Sequence, residues 1–136
     1  MSAGLPRKAL AEKLGIKAGF VVVVIRPPKD YVQLLGRIPE RVSIRSRLNG
    51  PVNIIHAFVR TRADLDARFA RWKDAISKDG CVWVSWPKRG ANVPTDLTED
   101  VVRAIALTNG LVDVKVCAVD ETWSALKLVY RRRDRT

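Results

Sequence analysis

The chain has 136 residues, 47% hydrophobic and 29% charged, the balance of one globular domain that buries roughly two-thirds of its unfolded surface. Twenty-five Lys/Arg against 14 Asp/Glu give a net charge of +11, which favours polyanionic partners without saying which. No stretch stays apolar for the roughly 18 residues of a membrane span, and no uninterrupted apolar segment follows the basic N-terminus, so the reading is a cytoplasmic protein without a membrane segment or secretory signal.

In chain order, Arg7–Gly15 is expected to form a short amphipathic helix, with Leu10 and Leu14 on one side and Gly15 ending it. Phe20–Ile25 is continuously apolar, as in a central strand covered on both faces, and Pro27-Pro28 stops it. Asp30–Leu35 follows as a short helix with Pro28 in its first turn and Tyr31, Leu34 and Leu35 facing inward. Val42–Leu48 alternates, with Val42, Ile44 and Leu48 on one face and Ser43, Arg45 and Arg47 on the other, and is expected at a half-exposed edge. Val52–Val59 is a buried strand. Thr61 then caps a helix whose stripe is Leu65, Phe69, Trp72 and Ile76, and Asp79-Gly80 closes that helix. Cys81–Trp86 is the next buried strand, stopped by Pro87, and 88–94 is a loop. Asp96 or Thr95 caps a helix running to about Thr108, with Glu99 three residues beyond Asp96. Val112–Val119 and Ala125–Tyr130 form a closing hairpin.

This alternation implies an α/β three-layer sandwich, a mostly parallel sheet of about six strands ending in an antiparallel hairpin. One domain is expected: an N-terminal helix and flank over 7–18, an α/β core over 19–131 and a basic tail over 132–136. The pattern resembles a reduced methyltransferase-type Rossmann fold, in which a final strand is inserted antiparallel. The motifs GCVWVSWPK (80–88), DLTEDVVR (96–103) and LVDVKVCAVDETWSALKLV (111–129) also resemble those of domain of unknown function 3052, a family of small bacterial proteins. The methyltransferase resemblance implies a glycine-rich turn after the first strand and an acidic residue near the end of the second. Here Arg26-Pro27-Pro28 stands at the first place, and 42–50 contains no acid at the second.

Ligands of open α/β sheets bind outside the carboxyl ends of the parallel strands, here 26–30, 56–60 and 86–89. The candidate ligand residues are Arg26, Tyr31, His56, Trp86, Lys88, Arg89 and Trp123. His56 is the sole histidine, able to transfer protons near neutral pH or to serve as a hydrogen-bonded core residue. Lys88 and Arg89 could meet an anion at the sheet rim or be solvated loop charges. Trp83 and Trp86, three apart, face opposite sides of the sheet, and Trp72 belongs to a helix stripe. Trp123, near the hairpin turn, is the better ligand or partner contact. Asp96, Glu99 and Asp100 read as capping and first-turn residues ahead of a cation site, and Asp120 and Glu121 as a hairpin tip. Cys81 and Cys117 read as small core residues. No cofactor and no metal site are expected.

The leading functional reading is a non-catalytic binding or regulatory domain without the usual adenosylmethionine site. A nucleic-acid-binding accessory protein is the first alternative. Residues 1–50 carry ten cations against three anions (+7), 51–100 eight against seven (+1) and 101–136 seven against four (+3). An unrecognised enzyme with its site at the strand ends is the second alternative. The partner is a protein or a polyanion, and the edge at 42–48 or the final hairpin offers a place for pairing in a homodimer.

Overall fold

The computed structural model describes residues 8–135. Six strands, β1 (Val21–Ile25), β2 (Ser43–Arg45), β3 (Val52–Phe58), β4 (Ile76–Pro87), β5 (Leu111–Ala118) and β6 (Trp123–Tyr130), form one sheet in the order β2-β1-β3-β4-β6-β5. β1 runs parallel to β2 and β3, and β3 to β4, whereas β6 is inserted antiparallel between β4 and β5. The expected mostly parallel sheet with a closing antiparallel hairpin is therefore present. Helices α1 (Leu10–Leu14) and α2 (Tyr31–Leu35) lie on one face, α3 (Arg62–Ala75) and α4 (Glu99–Thr108) on the other.

Strand alternation sorts the core into two halves. Val23, Ile55, Ala57, Val82, Val84 and Trp86 pack with Leu65, Phe69 and Trp72 of α3 and Val102 and Ala106 of α4. Val22, Val24, Ile54, Phe58, Cys81 and Trp83 pack with α1 and α2 on the opposite face. Trp83 and Trp86 thus face opposite sides as expected, and the Trp83 indole Nε1–H donates to the Leu14 carbonyl at 3.1 Å, fastening α1 to the sheet. The N-terminal helix is consequently a covering element with Leu10, Ala11 and Leu14 buried. Arg7, its expected start, lies outside the described residues.

Four local expectations are corrected. α3 ends at Ala75, and the chain enters β4 at once, so Asp79-Gly80 sits within a strand instead of closing the helix. The β3–β4 register shifts between Val52 and Ile54, and a Cβ on Gly80 would lie 2.7 Å from the Asn53 carbonyl oxygen. Gly80 is there for close approach of two backbones. β2 is only three residues long where 42–48 was expected, and at this edge Ile44 is 41% exposed. α2 begins at Tyr31, three residues after Pro28, with Leu34 only half-buried. α4 begins at Glu99, capped by Thr98, whose Oγ1 accepts from the Val101 amide at 3.2 Å.

Candidate ligand-binding cleft

The chain leaves β1 through α2 on one face and leaves β3 through α3 on the other, so the connections diverge between the carboxyl ends of these neighbours. In open α/β sheets this divergence creates a ligand-binding crevice. A cleft of about 710 Å³ opens there, walled by Arg26, Pro27 and Pro28 after β1, by Phe58, Arg60, Thr61 and Asp64 after β3, and by Val93, Thr122 and Trp123.

Arg26 ends β1 with φ 54°, a left-handed conformation that a side chain disfavours. Its Nη1 lies 3.4 Å from Asp64 Oδ2, while Arg68 Nε reaches the other oxygen, Oδ1, at 3.1 Å. One carboxylate is thus shared by two guanidinium groups. The start of α3 is closed by protein donors and acceptors. Asp96 Oδ1 accepts from the Arg62 amide at 2.8 Å, Thr61 Oγ1 accepts from the Asp64 amide at 3.1 Å, and Thr95 Oγ1 donates to the Arg60 carbonyl at 2.6 Å. Thr95 and Asp96, expected to cap α4, instead tie the loop after β4 to the beginning of α3.

Trp123 lines this cleft although it is only 8% exposed. Asp120 Oδ1 accepts from the Thr122 and Trp123 amides, both at 2.8 Å, and this turn folds the indole inward. The ring meets Phe58 edge-on at 5.0 Å, leaving one edge to the cleft. Trp86, Lys88 and Arg89 line a separate cleft of about 510 Å³ beside Asp96 and Glu99. Here Asp96 is occupied by α3, and Glu99 and Asp100 are held by Arg103, which also reaches Asp113 of β5 at 3.0 Å. These partners, Glu99 first and then Asp113, hold the Arg103 guanidinium above its ordinary pKa. Among the described residues no group of three or more His, Cys, Asp or Glu could hold a metal ion.

Tyr31 and His56 lie in the core. His56 is 0% exposed, with Nδ1 2.8 Å from the Tyr31 hydroxyl and Nε2 2.7 Å from Ser85 Oγ. Each hydroxyl can donate or accept, so either neutral tautomer is fully satisfied. Burial pushes the imidazole pKa down to about 3 and the Tyr31 phenol above its ordinary value. At neutral pH the ring is uncharged and enclosed.

Both cysteines are free. Cys81 adjoins a smaller cleft of about 380 Å³ at the amino-terminal ends of the strands, with burial pushing its thiol up to about 11 against the pull of Lys127. It is a thiol, not a thiolate, at neutral pH. Cys117 is half-buried, and burial raises its pKa too, against Lys13 and Lys115.

Of the seven candidates, the structure brings Arg26 and Trp123 together, puts Trp86, Lys88 and Arg89 in a neighbouring cleft, and buries Tyr31 with His56. Ser85 and Asp64 were not among them. Ser85 carried a signal: it alternates with Trp83 and so shares the His56 face.

Solved structures with a similar fold include several methyltransferases. One is magnesium protoporphyrin IX methyltransferase from Synechocystis PCC 6803 with bound SAM, 8% identical, with a TM-score of 0.59 covering 90% of this chain and 76% of that one. Another is a SAM-dependent methyltransferase from Aquifex aeolicus, 12% identical, with a TM-score of 0.59 over 88% and 86%. The tRNA methyltransferase TrmK of B. subtilis is 10% identical, with a TM-score of 0.56 over 92% and 65%. The fold is therefore that of a methyltransferase-like α/β protein. No protein-family model and no curated protein matches the chain. Among the described residues no helix is long and apolar enough to cross a membrane.

Proposed function

We propose that this chain is a binding or regulatory domain on a methyltransferase-like scaffold, one that does not hold adenosylmethionine in the usual manner. The observation that carries this reading is the turn after β1. Pro27 and Pro28 offer no backbone N–H to the cleft, and the Arg26 guanidinium lines it. The sulfonium of adenosylmethionine is a cation, and the cleft sets Arg26 and Arg60 against one carboxylate, Asp64, which is itself shared with Arg68, so the balance of the wall opposes that charge. His56, the one side chain with an ordinary pKa near neutrality, is enclosed between two hydroxyls and cannot reach a substrate proton. The motifs at 80–88, 96–103 and 111–129 support placing the chain with domain of unknown function 3052.

Isothermal titration with adenosylmethionine and adenosylhomocysteine tests this reading, together with transfer of labelled methyl groups to protein, RNA and small-molecule extracts. No heat at millimolar ligand and no transfer are expected. Micromolar binding with transfer to any acceptor overturns it.

A second reading, a nucleic-acid accessory protein, draws on the segment leading from β1 to just past β2. Arg26, Lys29, Arg37, Arg41, Arg45 and Arg47 are all exposed there against Asp30 and Glu40, six cations against two anions, or +4. Oligonucleotide affinity should then fall linearly with the logarithm of salt concentration, more shallowly after Arg45→Gln and Arg47→Gln. No binding at low ionic strength removes this reading.

A further inference from the structure

We infer that the cleft between β1 and β3 takes a small organic anion, its phosphate or carboxylate held by Arg26 and Arg60 and its apolar body resting against Pro27, Pro28 and Trp123. This inference rests on the non-adenosylmethionine reading of the same cleft and names the class of ligand that fits it instead.

The size of the cleft comes first. About 710 Å³ is far more than an inorganic ion fills and lies within the range of small-molecule sites. The walls then divide by chemistry. Two arginines stand at the strand ends, and Pro27, Pro28, Val93 and Trp123 supply apolar lining.

The charge on the arginines is not consumed within the protein. Asp64 is shared between Arg26 and Arg68, and its contact to Arg26, 3.4 Å with that side chain 61% exposed, is a weak surface pair. Among the described residues Arg60 has no carboxylate within ion-pair distance. An incoming anion can therefore take the Arg26 guanidinium in bidentate fashion, leaving Asp64 to Arg68.

The backbone of Arg26 points the same way. At φ 54° glycine would sit without penalty, and the exposed pair to Asp64 is small compensation for a side chain there. The Arg62 and Asp64 amides are already taken by Asp96 and Thr61, which leaves the guanidinium groups as the charged donors of the cleft.

The test follows the backbone amide signals of Phe58, Thr61, Val93, Thr122 and Trp123 by NMR during titration with two matched pairs, phenyl phosphate with phenol and benzoate with benzamide. Benzoate and benzamide differ mainly in charge, and phenol lacks the phosphoryl group of its partner altogether. At least one anion should bind about tenfold or more tighter than its neutral partner, with Arg26→Gly and Arg60→Gln each weakening it by about tenfold. Arg26→Gly suits the backbone angle, so loss of binding there is not loss of fold. Preference for phenyl phosphate assigns a phosphorylated ligand, and preference for benzoate a carboxylate.

The inference is overturned if no anion exceeds its neutral partner, or if the preference survives both substitutions. Adenosylmethionine is titrated alongside to separate the two readings. Silence from it and from the anions leaves the proposed function standing and removes this inference. Micromolar adenosylmethionine binding with methyl transfer overturns the proposed function, whatever the anions do.

Discussion

His56 shows how one residue can look functional in sequence and be structural in space. Its ring is closed by Tyr31 and Ser85, so loss of either hydroxyl leaves a buried nitrogen unpaired. Tyr31→Phe or Ser85→Ala should each cost about 1–3 kcal/mol in urea unfolding. A folded pKa of about 3 against the ordinary 6.5 means that the unfolded chain binds the proton first as pH falls. The stability from keeping this ring neutral is whole above pH 6.5 and is lost progressively between 6.5 and 3. From pH 6.5 to 5 this one group should account for roughly 1–2 kcal/mol of lost stability. His56→Phe, compared over that window, should lack this increment whatever its stability at neutral pH. Equal losses in parent and variant contradict the enclosed neutral ring. The sequence exposed both possibilities for His56 but could not choose between them, because Tyr31, His56 and Ser85 meet only through packing of α2 on the sheet and the β3–β4 register.

At the scale of elements, short-range pattern was a good guide to strand and helix identity and a poor one to boundaries. TDLTED, residues 95–100, contains Thr95, Asp96 and Thr98, each able to cap a helix, and Asp96 with Glu99 has the spacing of a capping box. The structure distributes them, Thr98 to α4 and Asp96 across to α3, a choice made by the position of Arg62 and therefore invisible locally. Thr98→Ala should cost about 1 kcal/mol, as cap removal ordinarily does. Asp96→Ala should shift the Arg62 amide signal in an NMR spectrum and leave that of Val101 in place. The reverse pattern would return Asp96 to α4. Gly80 was misread for a related reason. Asp-Gly is a turn signal in isolation, yet here the glycine admits the Asn53 carbonyl, and Gly80→Ala should destabilise β4 by forcing the strands apart. Pro27-Pro28 was legible as a strand stop, whereas the left-handed Arg26 and its reach to Asp64, 38 residues away, were not.

Across the whole molecule, the sheet order places unequal protection on strands of similar composition. β3 lies between β1 and β4, and β4 between β3 and β6, with helices packed on both faces, so their amides can meet water only when much of the sheet parts. β2 has three residues, one neighbour and an exposed Ile44. β5 is longer but has a register irregularity between Asp113 and Lys115, with Val114 and Val116 55% and 52% exposed. Alternating and continuous apolar runs foretold one exposed edge and a buried centre. The insertion of β6 between β4 and β5, which makes β5 the other edge, came from the fold resemblance instead of the run lengths. Native-state hydrogen exchange should rank the amides of Ile54–Ala57 and Val82–Ser85 slowest, at the free energy of global unfolding. Those of Ser43–Arg45 and Val114–Val116 should exchange through local opening whose rate is insensitive to low denaturant. If β2 exchanges as slowly as β3, it is not a lone short edge strand, and a further layer or a second copy must be covering it. Since Arg45 and the run to Arg47 lie on that edge, protection there would also bear on whether the +4 segment from β1 to just past β2 is free to meet a polyanion.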